Sequence, residues 1–305
     1  MSAPRASWFT DVWTTLATAS GIGYLATSYS VSRWLTRTTR QDPARPLETP
    51  GLIFEDLECH TEDGLRLAGW LVAPPRPRGT VALFHGLRGN RGMTWNRIAF
   101  LAEAGYRCVA FDHRGHGTSD GRLTSFGFHE SRDVAAVLDV IDRRWPGDPR
   151  AALGISMGAA ALCFASGRAK DWNALVLESM YHDLGKAFQT RVGSNYPSWF
   201  KRFHRGVIWI TERRLGLRLA ELAPIHHISK LSPTPVLLLT GSEDPHAPPE
   251  DIQELFDQCH EPREISLVAG AGHEDVCEQG GSYYQELILN FLERRLFPPL
   301  AFRAA

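Results

Sequence analysis

Short apolar runs alternate along this chain with stretches of helical spacing, and that alternation constrains the fold more than any other feature. Thr80 to Phe84 (TVALF) suits a strand buried on both faces and Arg107 to Phe111 (RCVAF) another buried strand, while Ala151 to Ile155, Ala174 to Leu177, Pro235 to Leu239 (PVLLL) and Glu264 to Val268 (EISLV) read as further strands. Between them lie helical patterns at Met93 to Ala104, Gly127 to Trp145, Met157 to Ser166, Ile252 to Gln258 and Tyr283 to Leu296. In the second of these, Val134, Ala135, Leu138 and Ile141 form one apolar stripe, and Pro146-Gly147 stops the helix. Strands separated by helices imply βαβ units, hence an α/β fold with a parallel sheet. Leu52 to His60 and Leu65 to Val72, joined at Glu62-Asp63-Gly64, read as a hairpin ahead of it. No internal repeat or low-complexity segment interrupts the pattern.

A length of 305 residues, 43% of them hydrophobic, allows one large domain or two small ones with a full apolar core. The net charge of -1 argues against nucleic acid as a partner, because phosphate neutralisation needs a basic face. Cys59, Cys108, Cys163, Cys259 and Cys277 are odd in number and scattered, which argues against a disulfide scaffold and favours a reduced, cytoplasmic setting. Residues 1–50 read as an extension. Val12 to Ser32 carries no charge and is followed by Arg33, Arg37 and Arg40, a length that could span a bilayer. Thr14, Thr15, Thr18, Ser20, Thr27, Ser28 and Ser30 dilute it, however. Two readings stand: a weak membrane anchor or membrane-surface helix, and a helix packed on the domain or a mobile extension. Pro43, Pro46 and Pro50 mark a linker, so the domain is expected over 51–305.

Gly154-Ile155-Ser156-Met157-Gly158 matches G-x-S-x-G in an informative context. An apolar strand runs into it and the small-residue helix beginning Gly158-Ala159-Ala160-Ala161 runs out. A serine on such a turn is held in a strained conformation with its hydroxyl raised, and the helix amino terminus favours developing negative charge. The bland alternative is an ordinary N-cap serine in a Gly-rich turn. A serine nucleophile needs a base, usually a histidine oriented by a carboxylate. Among twelve histidines, His273 lies in Gly270-Ala271-Gly272-His273 just after a strand, where a base can face Ser156. Asp244 lies in Gly241-Ser242-Glu243-Asp244-Pro245 after another strand, with Glu243 its neighbour and Glu178 a further candidate acid. The order Ser156, Asp244, His273 is that of serine hydrolases of this type.

With Phe84-His85-Gly86-Leu87 and Asp112-His113-Arg114-Gly115-His116-Gly117, these motifs resemble the α/β-hydrolase fold serine hydrolases from about Leu52 to Leu296. The esterase, monoacylglycerol-lipase-like and acyl-hydrolase branch is the most similar. The resemblance implies a mostly parallel eight-stranded sheet with helices on both faces and an inserted helical cap. It implies backbone N–H groups of Leu87 and Met157 as the oxyanion hole, and His85 as a brace for its loop. Gly86 allows the tight turn beneath the substrate carbonyl, and Gly154 and Gly158 serve the elbow. His113 and His116 lack a completing carboxylate or Cys set, so no metal is expected. Gly86, Gly89 and Gly92 lack a following Gly-Lys-Ser/Thr, and no cofactor is expected.

From about His182 to Ser232 the chain carries helical pattern and no good strand, which reads as the cap. Its aromatic run Tyr196-Pro197-Ser198-Trp199-Phe200, with Phe203, Val207, Ile208 and Ile210, lies beside Lys201, Arg202, Arg205, Arg213 and Arg214. This suits a lid over an acyl pocket that rests on anionic lipid, and equally a cap helix with a solvated basic face. The expected function is hydrolysis of short or medium acyl esters, or of monoacylglycerol-like lipids, through an acyl-enzyme. Thioester or amino-terminal peptide cleavage with the same residues, and a non-catalytic binding module, are the alternatives.

Overall fold

The computed structural model describes residues 7–44, 49–186 and 204–298. Eight strands form one sheet in the order β1-β2-β4-β3-β5-β6-β7-β8. They are β1 (Ile53–His60), β2 (Arg66–Ala73), β3 (Thr80–Phe84), β4 (Arg107–Phe111), β5 (Arg150–Ile155), β6 (Ala174–Glu178), β7 (Val236–Gly241) and β8 (Arg263–Val268). The β1–β2 hairpin and the β2–β4 pairing are antiparallel. From β4 through β8 every pairing is parallel.

The alternation of side chains along β3 divides the core. Ala82 and Phe84 join a cluster with α3 (Glu130–Arg144), α4 (Met157–Phe164) and α6 (Pro249–Gln258). Val81 and Leu83 face the other way, toward α2 (Trp95–Glu103) and α7 (Val276–Leu296). Both faces of the sheet are therefore covered, which is why its central strands carry unbroken apolar runs. The five cysteines are free and buried within these layers or at their margins. Burial raises the Cys259 and Cys277 thiols to about 11, so they are protonated and unreactive near neutrality.

Two segments differ in length from their sequence patterns. The last helix begins at Val276 rather than near Tyr283, because the chain stays helical on both sides of a kink at Gly281 (φ 48°, ψ −127°). The third helix begins at Glu130 rather than Gly127. Phe126 (φ 58°) and Gly127 (φ 111°) form a turn in which the buried Glu130 carboxylate accepts from the Ser125 and Gly127 N–H groups.

The amino-terminal segment forms α1 (Ser7–Leu35), which packs along α5 (His204–Leu215) of the cap region. The Tyr24 hydroxyl accepts from the Gly206 N–H at 2.9 Å, and Ser32 Oγ lies 2.9 Å from Thr211 Oγ1. The chain after α1 is also tied down. The Gly117 N–H donates to the Thr39 carbonyl and the Arg40 guanidinium to the Ser119 carbonyl. Residues from α1 to Asp42 thus rest on the domain, ahead of the expected start at Gly51. No helix among the described residues is long and apolar enough to cross a membrane. In the cap, α5 is followed by short 3-10 turns at Leu219–Glu221, Pro224–His226 and Ile228–Leu231. The aromatic run 196–200, Lys201, Arg202 and Phe203 lie outside the described residues.

Candidate active site

Ser156 sits between β5 and α4 at φ 51°, ψ −108°, a conformation side chains rarely adopt. The turn is possible only because of its neighbours. A Cβ on Gly158 would lie 2.2 Å from the Phe84 carbonyl oxygen, and one on Gly154 would lie 2.5 Å from the Ala159 nitrogen. Any larger residue would prise α4 away from β3 and β5. The Ser156 N–H donates to the Glu178 carbonyl at 2.7 Å, which pins the elbow to β6.

His273 follows β8 and Asp244 follows β7, so parallel neighbouring strands deliver both to the carboxyl edge of the sheet. His273 Nε2 lies 3.0 Å from Ser156 Oγ, and Nδ1 lies 2.8 Å from Asp244 Oδ2 and 2.9 Å from Oδ1. Gly241, at the end of β7, permits this approach. A Cβ there would lie 2.1 Å from the Ala271 carbonyl oxygen in the loop that carries His273. The Asp244 side chain is fully buried. Burial works against its charge. The hydrogen bond and charge of His273, with the N–H groups of Ala247 and His246, outweigh burial and hold the carboxyl down at about 2. The Thr240 hydroxyl lies 3.0 Å from its second oxygen. The rival acids are placed elsewhere. Glu243 is exposed. Glu178 is buried in an ion pair with Arg97 and accepts from the Tyr284 hydroxyl at 2.5 Å.

His85 uses both ring nitrogens on the backbone. Nδ1 lies 2.8 Å from the Gly86 carbonyl, and Nε2 accepts from the His113 N–H at 3.0 Å. That pattern assigns the proton to Nδ1. Burial, with His113 and His116 nearby, keeps this imidazole well below its usual range and neutral. It braces the loop whose next residues are Gly86 and Leu87. A Cβ on Gly86 would lie 3.6 Å from Ser156 Cβ, so this loop lies directly against the elbow. The Asp112 carboxylate closes the same region. It accepts from the Arg91 and Thr118 N–H groups and pairs with the Arg91 guanidinium. Among the described residues no group of three or more His, Cys, Asp or Glu could hold a metal ion.

Ser156, Met157, Leu87 and His273 open onto a cavity of about 920 Å³. Phe126, Tyr181, Leu184, Val207, Leu215 and Leu222 give it a largely apolar lining. Trp34 and Leu35 from the end of α1 contribute to the same wall. Sequence reasoning missed those two residues, as well as the Gly241 approach and the Arg97–Glu178–Tyr284 network. Nothing in the periodicity of 1–50 ties it to the elbow. The other features depend on contacts between distant segments.

Sheet order, strand-to-helix elbow and the loops after β7 and β8 define the class: the chain belongs to the α/β-hydrolase fold. The model of the family described as serine aminopeptidase, S33, matches residues 75–215. The chain is 25% identical over 237 residues to the uncharacterized protein YqkD of Bacillus subtilis, covering 75% of this chain and 76% of that one. It is 29% identical over 249 residues to the uncharacterized protein Rv2307c of Mycobacterium tuberculosis, covering 78% of each. The solved structure of the Pyrococcus furiosus esterase Pf2001 superposes with a TM-score of 0.68 at 22% identity. That match covers 84% of this chain and 100% of that one. Asp244 and His273 lie beyond the residues that the family model matches.

Proposed function

We propose that the protein is a serine hydrolase of carboxylic esters, acting on short or medium acyl esters or monoacylglycerol-like lipids. The observation that carries this reading is the hydrogen-bonded chain Ser156–His273–Asp244 at the edge of an apolar cavity. Ser156 Oγ attacks the ester carbonyl carbon while His273 Nε2 takes its proton. Asp244 holds His273 Nδ1–H, fixes the tautomer and stabilises the imidazolium. The oxyanion receives the backbone N–H groups of Leu87 and Met157. Collapse breaks the carbonyl-to-alkoxy bond, and His273 returns the proton to the departing alcohol. Water, deprotonated by His273, then attacks the acyl-serine and releases the acid. The apolar lining accommodates an acyl chain and keeps water from it.

The family's description supports a second reading, cleavage at an amino-terminal peptide bond by the same residues. Fluorophosphonate labelling and p-nitrophenyl ester turnover test the first reading directly. Both are expected in the wild type, with turnover falling roughly 10⁴-fold or more in Ser156→Ala. Full turnover in that variant would remove Ser156 from the chemistry. A parallel panel of p-nitrophenyl esters, acyl-CoA thioesters and amino-acid amides ranks the bond type.

A further inference from the structure

The second half of α1 buries hydroxyls and exposes a stripe of large apolar side chains. Ser28 and Ser32 are 0% exposed, as is Thr36 just past the helix, whereas Ser20 and Ser30 face outward. Ile22 is 63%, Leu25 50% and Tyr29 47% exposed. A surface helix ordinarily turns such apolar residues toward the domain. The α1–α5 contact also has the character of helix packing in lipid. A Cβ on Gly206 would lie 2.6 Å from Ser28 Oγ and from the Tyr24 ring, so the helices approach at small residues. Hydroxyls make the cross-contacts: Thr211 Oγ1 and Ser32 Oγ, and the Arg214 guanidinium donating to Ser32 Oγ and Thr36 Oγ1 at 3.0 and 2.8 Å.

Ile22, Leu25, Tyr29 and the exposed Arg33 recur at helical spacing on one face, and the exposed Arg37 lies just past the helix end. Residues 20–41 contain no acidic side chain. On α5, Trp209 is 52% exposed and the Arg213 guanidinium lies 5.0 Å from the centroid of its ring. The end of α1 then enters the active-site wall. Trp34 and Leu35 line the cavity, and Val207, Ile208 and Thr211 of α5 line it beside them.

We infer that the outward face of α1, with α5 beside it, docks on an anionic lipid surface and delivers ester substrate from that surface to Ser156. The apolar stripe enters the headgroup boundary, and Arg33 and Arg37 meet lipid phosphates. α1 lies on the bilayer, because it is not apolar enough to cross one. The lipid source of the substrate rests on the ester-hydrolase reading above, whereas the docking itself does not.

The test uses the full chain with vesicles of phosphatidylcholine alone or mixed with phosphatidylglycerol. The wild type is expected to co-sediment with the mixed vesicles, less with phosphatidylcholine alone, and less as salt rises. Ile22→Asp/Leu25→Asp should lose at least about tenfold in partitioning, and Arg33→Glu/Arg37→Glu should lose the preference for phosphatidylglycerol. Neither pair lines the cavity, so p-nitrophenyl acetate turnover should be unchanged in both, which also shows that the variants fold. Wild-type protein that stays in the supernatant with every vesicle, or an Ile22→Asp/Leu25→Asp variant that sediments as well as the wild type, would overturn the docking. So would a wild-type dimer that this pair converts to monomer without altering sedimentation, since a second copy would then cover the face. Vesicle binding without turnover of any ester would leave the docking standing and defeat the hydrolase reading instead.

Discussion

Ser156 has a positive φ because Gly154 and Gly158 let three backbone segments meet closer than a side chain permits. The same logic applies to a position with no motif to announce it. Gly241→Ala places a methyl 2.1 Å from the Ala271 carbonyl, so the loops holding Asp244 and His273 must separate. Ester turnover should fall at least about tenfold and stability by about 1–3 kcal/mol, read from kinetics and urea unfolding. Asp244 makes a pH prediction. Its folded carboxyl sits near 2 against an ordinary 3.8, so it stabilises the fold above about pH 4. That contribution, about 2 kcal/mol, should fade as pH falls toward 2, and Asp244→Asn should flatten this part of the urea-midpoint profile. An unchanged profile in the variant would show that the pairing contributes no acid-side stability. The G-x-S-x-G motif in its strand-to-helix context indicated Ser156, and the glycine-rich loop after the last strand indicated His273. The order Ser156, Asp244, His273 favoured Asp244, with Glu243 as a neighbouring competitor, because adjacent acids in a turn differ only in which one the fold buries.

At the scale of elements, the parallel strands β3 to β7 were legible because two-sided burial writes an apolar run into each, and the edge strand β8 kept enough of that run to be read although it is only partly buried. Helix boundaries were less so, since Gly127 and Gly281 carry turn or kink geometry that periodicity does not encode. The Arg97–Glu178–Tyr284 network, joining α2, β6 and α7 beneath the elbow, was not legible at all. Glu178→Gln should leave the Arg97 guanidinium buried and uncompensated and cost about 3–5 kcal/mol, with much of the loss recovered by adding Arg97→Met. Urea unfolding of the two variants checks this, and equal destabilisation in both would refute it. Among the described residues, Arg88 ties the end of α1 to the loop after β3. The Arg88 guanidinium lies 4.6 Å from the centroid of the Trp34 ring and donates to the Trp34 carbonyl at 3.0 Å, one residue past Leu87. Trp34→Ala should therefore lower p-nitrophenyl acetate turnover roughly three- to tenfold by loosening Leu87, with Ser156 still labelled by fluorophosphonate. Turnover equal to the wild type would mean that α1 does not position the loop.

Across the whole molecule, the net charge of -1 averages unlike regions. An arginine-bearing amino-terminal helix and cap are balanced by acids elsewhere. Length permitted one domain or two, and all eight strands join a single sheet with both faces covered. The order in which that sheet is completed has a consequence for synthesis. Ser156 directly follows β5 near the sheet's middle, whereas His273 follows its last strand. A chain emerging from the ribosome therefore presents its serine well over a hundred residues before its base, the two being separated by 117 positions. Until β8 has docked, the hydroxyl lacks its His273 neighbour. On the proposed chemistry, a nascent chain, or one truncated before His273, would therefore be silent toward esters, and reactivity would be among the last properties the growing polypeptide gains.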